Sequence, residues 1–264
     1  MGPHTVFVSH GGGPLPILGD AQHKDLVKSL QQLSTRLPRH PRAILVISAH
    51  WEAEGFTITS SENPGLLYDY YGFPKEAYTV QYPAKGSPQL AQEWASELAR
   101  LSGLPVKMDS QRRYDHGVFV PLLLMYPEAD VPVLQLSLDQ SLDPALHWRM
   151  GQALMQVIPD DVVVIGSGFS FHNLPLIFRG GSSSMAKAEH FLTWLDEVVT
   201  DRNLSTYERE ERWRKWESAP EARINHPKEE HLIPLLMCSA MMADRPGEAV
   251  PVDIVVPSRH YSWL

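Results

Sequence analysis

Short apolar runs alternate with helix-spaced hydrophobic positions along the whole chain. Thr5–Ser9 (TVFVS), Ala43–Ala49 (AILVISA) and Val162–Gly166 (VVVIG) are almost unbroken apolar stretches. Such runs fit strands covered on both faces, because a half-exposed strand alternates apolar with polar residues. Phe56–Ser60, Pro105–Met108, Val131–Leu138 and Val250–Val256 add strands, the last closing the chain. Between them, Leu26, Leu30, Leu33 and Leu37 recur at three- and four-residue spacing, predicting a helix over 21–37 with Asp20 as its cap. Ser87-Pro88 opens a second helix through Leu90–Leu101, with proline in the first turn, where no N–H is needed. Pro144–Val157 reads as another helix, and two or three more fill 184–243. Among these, the charged stretch Glu208–Glu217 reads as a solvated helix with Trp213 and Trp216 packed on one side. Strands interleaved with helices predict an α/β fold. It is expected to be a single domain over 1–264, with a central mixed, mostly parallel sheet and helices on both faces.

Composition narrows the function classes. The chain has 264 residues, enough to bury a sizeable core. It carries 31 Asp+Glu against 23 Lys+Arg, a net charge of −8, and no local basic run, so no nucleic-acid partner is expected. No apolar stretch is long enough to span a bilayer and no signal-peptide pattern opens the sequence. The expectation is a cytoplasmic protein without a membrane partner; the oligomeric state is open. The single cysteine, Cys238, lies in the apolar run Leu232–Met242 and reads as core, which excludes an intrachain disulfide and a cysteine-based zinc or iron–sulfur site.

The 12 histidines change the picture, because several fall where an open α/β sheet binds ligands, beyond the carboxyl ends of its strands. His10 follows Thr5–Ser9, and His50 follows Ala43–Ala49. His172 follows Val162–Gly166 after a loop containing Gly166 and Gly168. His116 sits in the loop after Pro105–Met108, and His231 opens the Leu232–Met242 helix, from which it can point back over the same edge. One histidine after a strand is ordinarily a hydrogen-bonded loop residue. Several converging on one edge are the pattern of a metal site, since neutral imidazole is the commonest transition-metal ligand. His4, His23, His40, His147, His190 and His260 read as structural. His226, before Pro227, reads the same way by itself, but its nearness to His231 adds it to the candidates for lining a substrate site. The segment 68–82 concentrates Tyr68, Tyr70, Tyr71, Phe73, Tyr78 and Tyr82, which suits a pocket wall or lid as well as a loop pinned by its rings. Gly11-Gly12-Gly13-Pro14 allows close backbone approach but lacks dinucleotide-binding spacing. Ser167 has no G-x-S-x-G context, and no H-E-x-x-H occurs.

Seven motifs in order then resemble one family. They are Ser9-His10-Gly11-Gly12-Gly13-Pro14, Ser48-Ala49-His50-Trp51-Glu52, and Tyr71-Gly72-Phe73-Pro74 followed by Tyr82-Pro83-Ala84. Asp115-His116-Gly117, Gln135-Leu136-Ser137, His172-Asn173-Leu174 and Glu230-His231-Leu232-Ile233-Pro234-Leu235 complete the series. Across nearly the whole chain the sequence resembles the class III extradiol ring-cleaving dioxygenases, in their DOPA-dioxygenase-like branch. The resemblance implies a metal-dependent enzyme that opens the ring of a DOPA-like or other small catechol with O2. It implies that His10, His50 and His231 hold the metal, with Fe(II) for activity and Zn(II) as another occupant. His172 would be the acid/base residue, near enough to count as a further ligand. His116 would share in catalysis and line the substrate site, beside Tyr71, Phe73 and His226. The partners would be a small aromatic diol and O2. More distant protocatechuate-cleaving relatives use a carboxylate where this chain has His231, so charge compensation would fall to the catecholate or to groups such as Glu52 or Asp115. Two alternatives stay open on the residues alone: a zinc-dependent hydrolase, and a non-catalytic binding protein on the same fold.

Overall fold

The computed structural model describes residues 2–179 and 182–264. The apolar runs become the middle of one sheet. Its strands are β1 (His4–Ser9), β2 (Ala43–Ala53), β3 (Phe56–Thr59), β4 (Val106–Asp109), β5 (Val133–Asp139), β6 (Val162–Gly168), β7 (Glu248–Asp253) and β8 (Pro257–Trp263). They lie in the order β4-β3-β5-β2-β6-β1-β8-β7. Neighbours in the block β5-β2-β6-β1 are parallel, so these strands all end at one edge. β8 is antiparallel to both β1 and β7, and β3 is antiparallel to β5.

The helices are α1 (Lys24–Ser34), α2 (Pro88–Ser102), α3 (His116–Met125), α4 (Pro144–Val157), α5 (Leu174–Arg179), α6 (Ser182–Thr200), α7 (Thr206–Arg214), α8 (Ala222–Asn225) and α9 (Ile233–Met241). Alternate side chains of the central strands enter two separate cores, as the two-residue period of a strand requires. Val6, Val8, Ile44, Val46, Val163 and Ile165 pack with residues of α1 and α3 on one face. Phe7, Leu45, Ile47, Val162 and Val164 pack with α2, α4, α6, α7 and α9 on the other. The expected α/β architecture is therefore present, with mixed, mostly parallel strands and helices on both faces. Cys238 is fully buried, and Trp213 and Trp216 are packed inward as the sequence suggested.

Several boundaries differ from expectation for physical reasons. The helix over 21–37 is a 3-10 turn, Ala21–His23, capped by Asp20, followed by the shorter α1. His50 does not follow its strand but lies on it, because β2 continues to Ala53 through an irregularity between Ile47 and Glu52. His116, expected in a loop, is the first residue of α3. That helix is apolar on nearly every side and contains Pro121, so it shows no helical periodicity to read. Four helices, α6 to α9, occupy the stretch assigned two or three. The chain does not end on Val250–Val256: β7 stops at Asp253 and β8 returns along β1. Ser258, His260 and Ser262 are all buried there, and their polar types hid the strand.

Candidate active site

Because β1, β2 and β6 end together, their last residues share one edge of the sheet. His10 is the first residue beyond β1, fixed by its backbone N–H donating to the Gly168 carbonyl at 3.0 Å. His231 comes from the turn before α9, and Phe169 N–H donates to its carbonyl at 3.1 Å. Gly168 makes this approach feasible, since a Cβ there would run into that same carbonyl oxygen. Gly117 does the equivalent for α3: an added Cβ would lie 2.5 Å from Ser48 Oγ and 3.1 Å from His50 Cδ2. His116 can therefore stand against His50, with ring centroids 3.9 Å apart.

The sheet edge and the two helix starts bring five histidines together. His50 Nε2 lies 3.0 Å from His10 Nε2 and 3.3 Å from His231 Nε2. Their outward nitrogens explain why the inner ones converge. Ser167 Oγ donates its one proton to the Gly117 carbonyl, so its contact with His10 Nδ1, at 3.0 Å, must be one it accepts. His10 is thereby the Nδ1–H tautomer and its Nε2 lone pair faces inward. Glu230 Oε1 lies 2.8 Å from His231 Nδ1 and fixes that ring in the same sense. Burial and the neighbouring imidazoles hold His10 and His231 well below the ordinary histidine pKa, and burial with His116 pushes His50 down to about 3. All three are neutral at neutral pH, and the lone pairs of His10 and His231 face His50 Nε2. His50 has at most one proton to offer there, so the arrangement keeps a lone pair for an acceptor of electron pairs. Nitrogens bound tetrahedrally to one zinc ion sit about 3.4 Å apart, close to what is seen. The residues fit a divalent transition metal. By proximity of ligand atoms, within 4.8 Å, the cluster also divides as His10, His50 and His116, and His172, Glu230 and His231.

Two carboxylates that the sequence reading gave no role touch these rings. Asp69 accepts from His116 Nδ1 at 2.8 Å and from the His116 backbone N–H at 3.0 Å, and lies 3.8 Å from His50 Nδ1. Burial raises its pKa, but the hydrogen bond from His116 outweighs this and holds it below the carboxylate range. Glu230 serves His231 and also His172 Nδ1, at 3.2 Å; burial raises its pKa, and His172 brings it down overall. The His172 and His231 rings are stacked, 3.4 Å between centroids. The groups expected to compensate charge are occupied elsewhere. Asp115 is fully buried one layer back, receiving Ser48 Oγ at 2.7 Å, Arg112 at 2.8 Å and Gln135. Glu52 pairs with Lys228. Glu230 could have been found from its place beside His231; Asp69 had no local signal among the tyrosines around it.

The aromatic segment divides. Tyr70 meets His116 edge-on at 5.9 Å and Phe73 at 5.5 Å, and the Phe73 ring packs over Gly13 beside His10. Tyr71, expected to line the site, is 91% exposed, whereas its neighbour Tyr70 is the one packed against His116. His226 is fully buried against Phe191 and Trp216, with Nε2 3.2 Å from the Ser170 carbonyl. It has no surface to offer a substrate and packs behind the site instead.

Comparison with known proteins gives a consistent result. Residues 4–261 match the family model described as the catalytic LigB subunit of aromatic ring-opening dioxygenase. The chain is 43% identical over 255 residues to dioxygenase tasH of Hapsidospora irregularis, covering 89% of this chain and 76% of that protein. It is 37% identical over 262 residues to a 4,5-DOPA dioxygenase extradiol of Beta vulgaris, covering 98% and 91%. Similarity to the Escherichia coli protein of the same description is 34% over 258 residues, covering 94% and 89%. A crystal structure of an uncharacterized Escherichia coli K12 protein superposes with a TM-score of 0.78 at 30% identity, covering 98% of this chain and 99% of that one.

Proposed function

The chain belongs to the class III extradiol dioxygenases, in the branch of the 4,5-DOPA dioxygenases, and we propose that it opens a small catechol beside its diol with O2. The observation that carries this reading is the convergence of His10, His50 and His231 through Nε2, each ring kept neutral and two of them aimed by Ser167 and Glu230. These three residues would hold a divalent metal, Fe(II) for turnover, with Zn(II) able to bind the same neutral nitrogens. When bound, such a metal would supply Lewis acidity toward the catechol and redox chemistry with O2.

The remaining work falls to the protein's own side chains. His172, stacked on His231 and held through Nδ1 by Glu230, leaves Nε2 free to take a proton from a catechol hydroxyl and return it. His116, oriented by Asp69, presents its own Nε2 beside His50 for a hydrogen bond to a substrate oxygen. Tyr70 and Phe73 wall this side with rings, keeping water from the reacting atoms and giving the catechol a face to pack against. The test is oxygen uptake by anaerobically Fe(II)-reconstituted protein with a catechol panel that includes DOPA. Stoichiometric O2 consumption with a yellow ring-opened product is expected. An iron-loaded protein that consumes no O2 with any catechol would overturn the proposal and favour a zinc hydrolase or a binding protein.

A further inference from the structure

One histidine outside the cluster has both ring nitrogens engaged, and one of its partners is the loop that follows His10. His23 is buried, and its Nδ1 lies 2.7 Å from Asp20 Oδ2. Its Nε2 accepts the backbone N–H of Gly12 at 3.1 Å. An acceptor at Nε2 requires the Nδ1–H tautomer of a neutral ring, which is the one the Asp20 carboxylate selects. Asp20 is itself fixed by the Gln22 N–H, at 3.0 Å, as the cap of its 3-10 turn. Asp20, His23 and Gly12 thus form a chain of hydrogen bonds that ends two residues beyond His10. What the chain holds has little stiffness of its own, for Gly11 and Gly13 both have positive φ and carry no side chain to pack. Gly12 is tied at both backbone groups, its N–H to His23 and its carbonyl to the Leu15 N–H at 3.2 Å. The His23 ring also closes the space beside Gly11, where an added Cβ would lie 2.9 Å from His23 Cδ2. On the far side of the loop the Phe73 ring packs over Gly13, 3.4 Å from where a Cβ would stand. His10 itself has separate anchors, its backbone on Gly168 and its ring on Ser167.

We infer that His23, aimed by Asp20, is a positioning residue for substrate: through the Gly12 N–H it fixes the glycine loop on which Phe73 packs, and so the place of that ring beside the metal-site histidines. The inference rests on the catechol reading, in which Phe73 is part of the wall against the substrate ring. Without the tether, a bound catechol must also order the loop, and the preorganisation that favours binding is lost. Metal affinity does not follow, because the anchors of His10 lie on β6 and stay in place.

The experiment is calorimetric titration of the Zn(II)-loaded protein with 4-methylcatechol under argon, beside zinc affinity measured by chelator competition. His23→Leu should weaken catechol binding about tenfold, the scale of one hydrogen bond, and leave zinc affinity at the wild-type value. His23→Gln places an amide oxygen near the former Nε2 and should restore most of the loss. In a Phe73→Leu background, His23→Leu should cost nothing further, because the two act through one contact. Asp20→Ala, at a partly exposed position, should show a smaller loss of the same kind, and it carries the test if His23→Leu does not fold. Catechol affinity unmoved in both His23→Leu and Asp20→Ala overturns the inference. So does a Gln variant as weak as Leu, or a loss that adds fully to that of Phe73→Leu. A parallel fall in zinc affinity overturns it too, by placing the effect at His10. If the loaded wild-type protein binds no catechol, the catechol reading itself fails, and the role of His23 with it.

Discussion

Replacing Ser167 by alanine removes one oxygen that touches neither metal nor substrate, and its effect on metal affinity can be worked out in advance. Ser167 Oγ accepts from His10 Nδ1 at 3.0 Å and donates to the Gly117 carbonyl, both within a fully buried environment. Without it, the His10 Nδ1–H has no acceptor, and the alternative tautomer turns a proton toward the His50 nitrogen. Loss of a group that orients a metal-binding histidine costs roughly 10- to 100-fold in affinity, about 1.4–2.8 kcal/mol. The same change leaves a buried donor and carbonyl unsatisfied, which lowers the stability of the metal-free fold by about 1–3 kcal/mol. Competition titration of Zn(II) against a chromophoric chelator, at a temperature where the metal-free variant is folded by circular dichroism, isolates the first effect from the second. A folded Ser167→Ala protein with wild-type zinc affinity would refute the tautomer argument. So would an affinity as low as that of His10→Ala, because the serine would then be more than an orienting group.

Other outcomes follow from the same geometry. His10→Ala, His50→Ala and His231→Ala should each lose bound metal by elemental analysis, whereas His172→Ala should retain metal and lose O2 uptake; turnover surviving in His172→Ala removes that residue from the chemistry. Gly168→Ala drives a methyl into the His231 carbonyl, so it should lower both thermal midpoint and metal content, and a variant that loses neither contradicts the close packing of α9 on β6. His260 is fully buried with neither ring nitrogen partnered, and burial pushes its pKa down to about 3. Above pH 6.5 the group is neutral in both states and makes no difference, whereas between 6.5 and about 3 only the unfolded chain takes up the proton, so stability falls as pH falls through that window. At pH 5 the loss is about 2 kcal/mol. Urea melts of metal-free protein should show His260→Leu less sensitive between pH 7 and pH 5 than the wild type; equal slopes would count against a neutral buried His260.

The central sheet was legible because β1, β2 and β6 are buried on both faces, which forces nearly continuous apolar sequence. α3 was not, and for the same reason: a helix covered all round carries no polar stripe to mark its period. β8 escaped because its inward positions are Ser258, His260 and Ser262, polar groups tolerated only by a particular tertiary setting. At the site, His10 and His172 could be placed from strand ends, since parallel strands deliver their last residues to one edge; His50 reaches that edge from within β2, which runs on to Ala53. The pairing of Asp69 with His116 spans 47 residues, and that of Ser167 with His10 spans 157, so neither leaves a trace in local spacing. Tyr71 and Tyr70 are adjacent, and only the backbone decides which ring turns inward.

The position of β8 also decides when the outer edge of β1 is covered. β1 carries His10 from the beginning of the chain, yet it is flanked by β6 on one side and by β8 on the other. During synthesis, therefore, the strand that leads into the first site histidine keeps an open edge until residues 257–263 have left the ribosome. His231 itself is produced late. His10 is nevertheless already held by Gly168 and Ser167 of β6, so β8 closes the outer edge of β1 rather than placing that histidine.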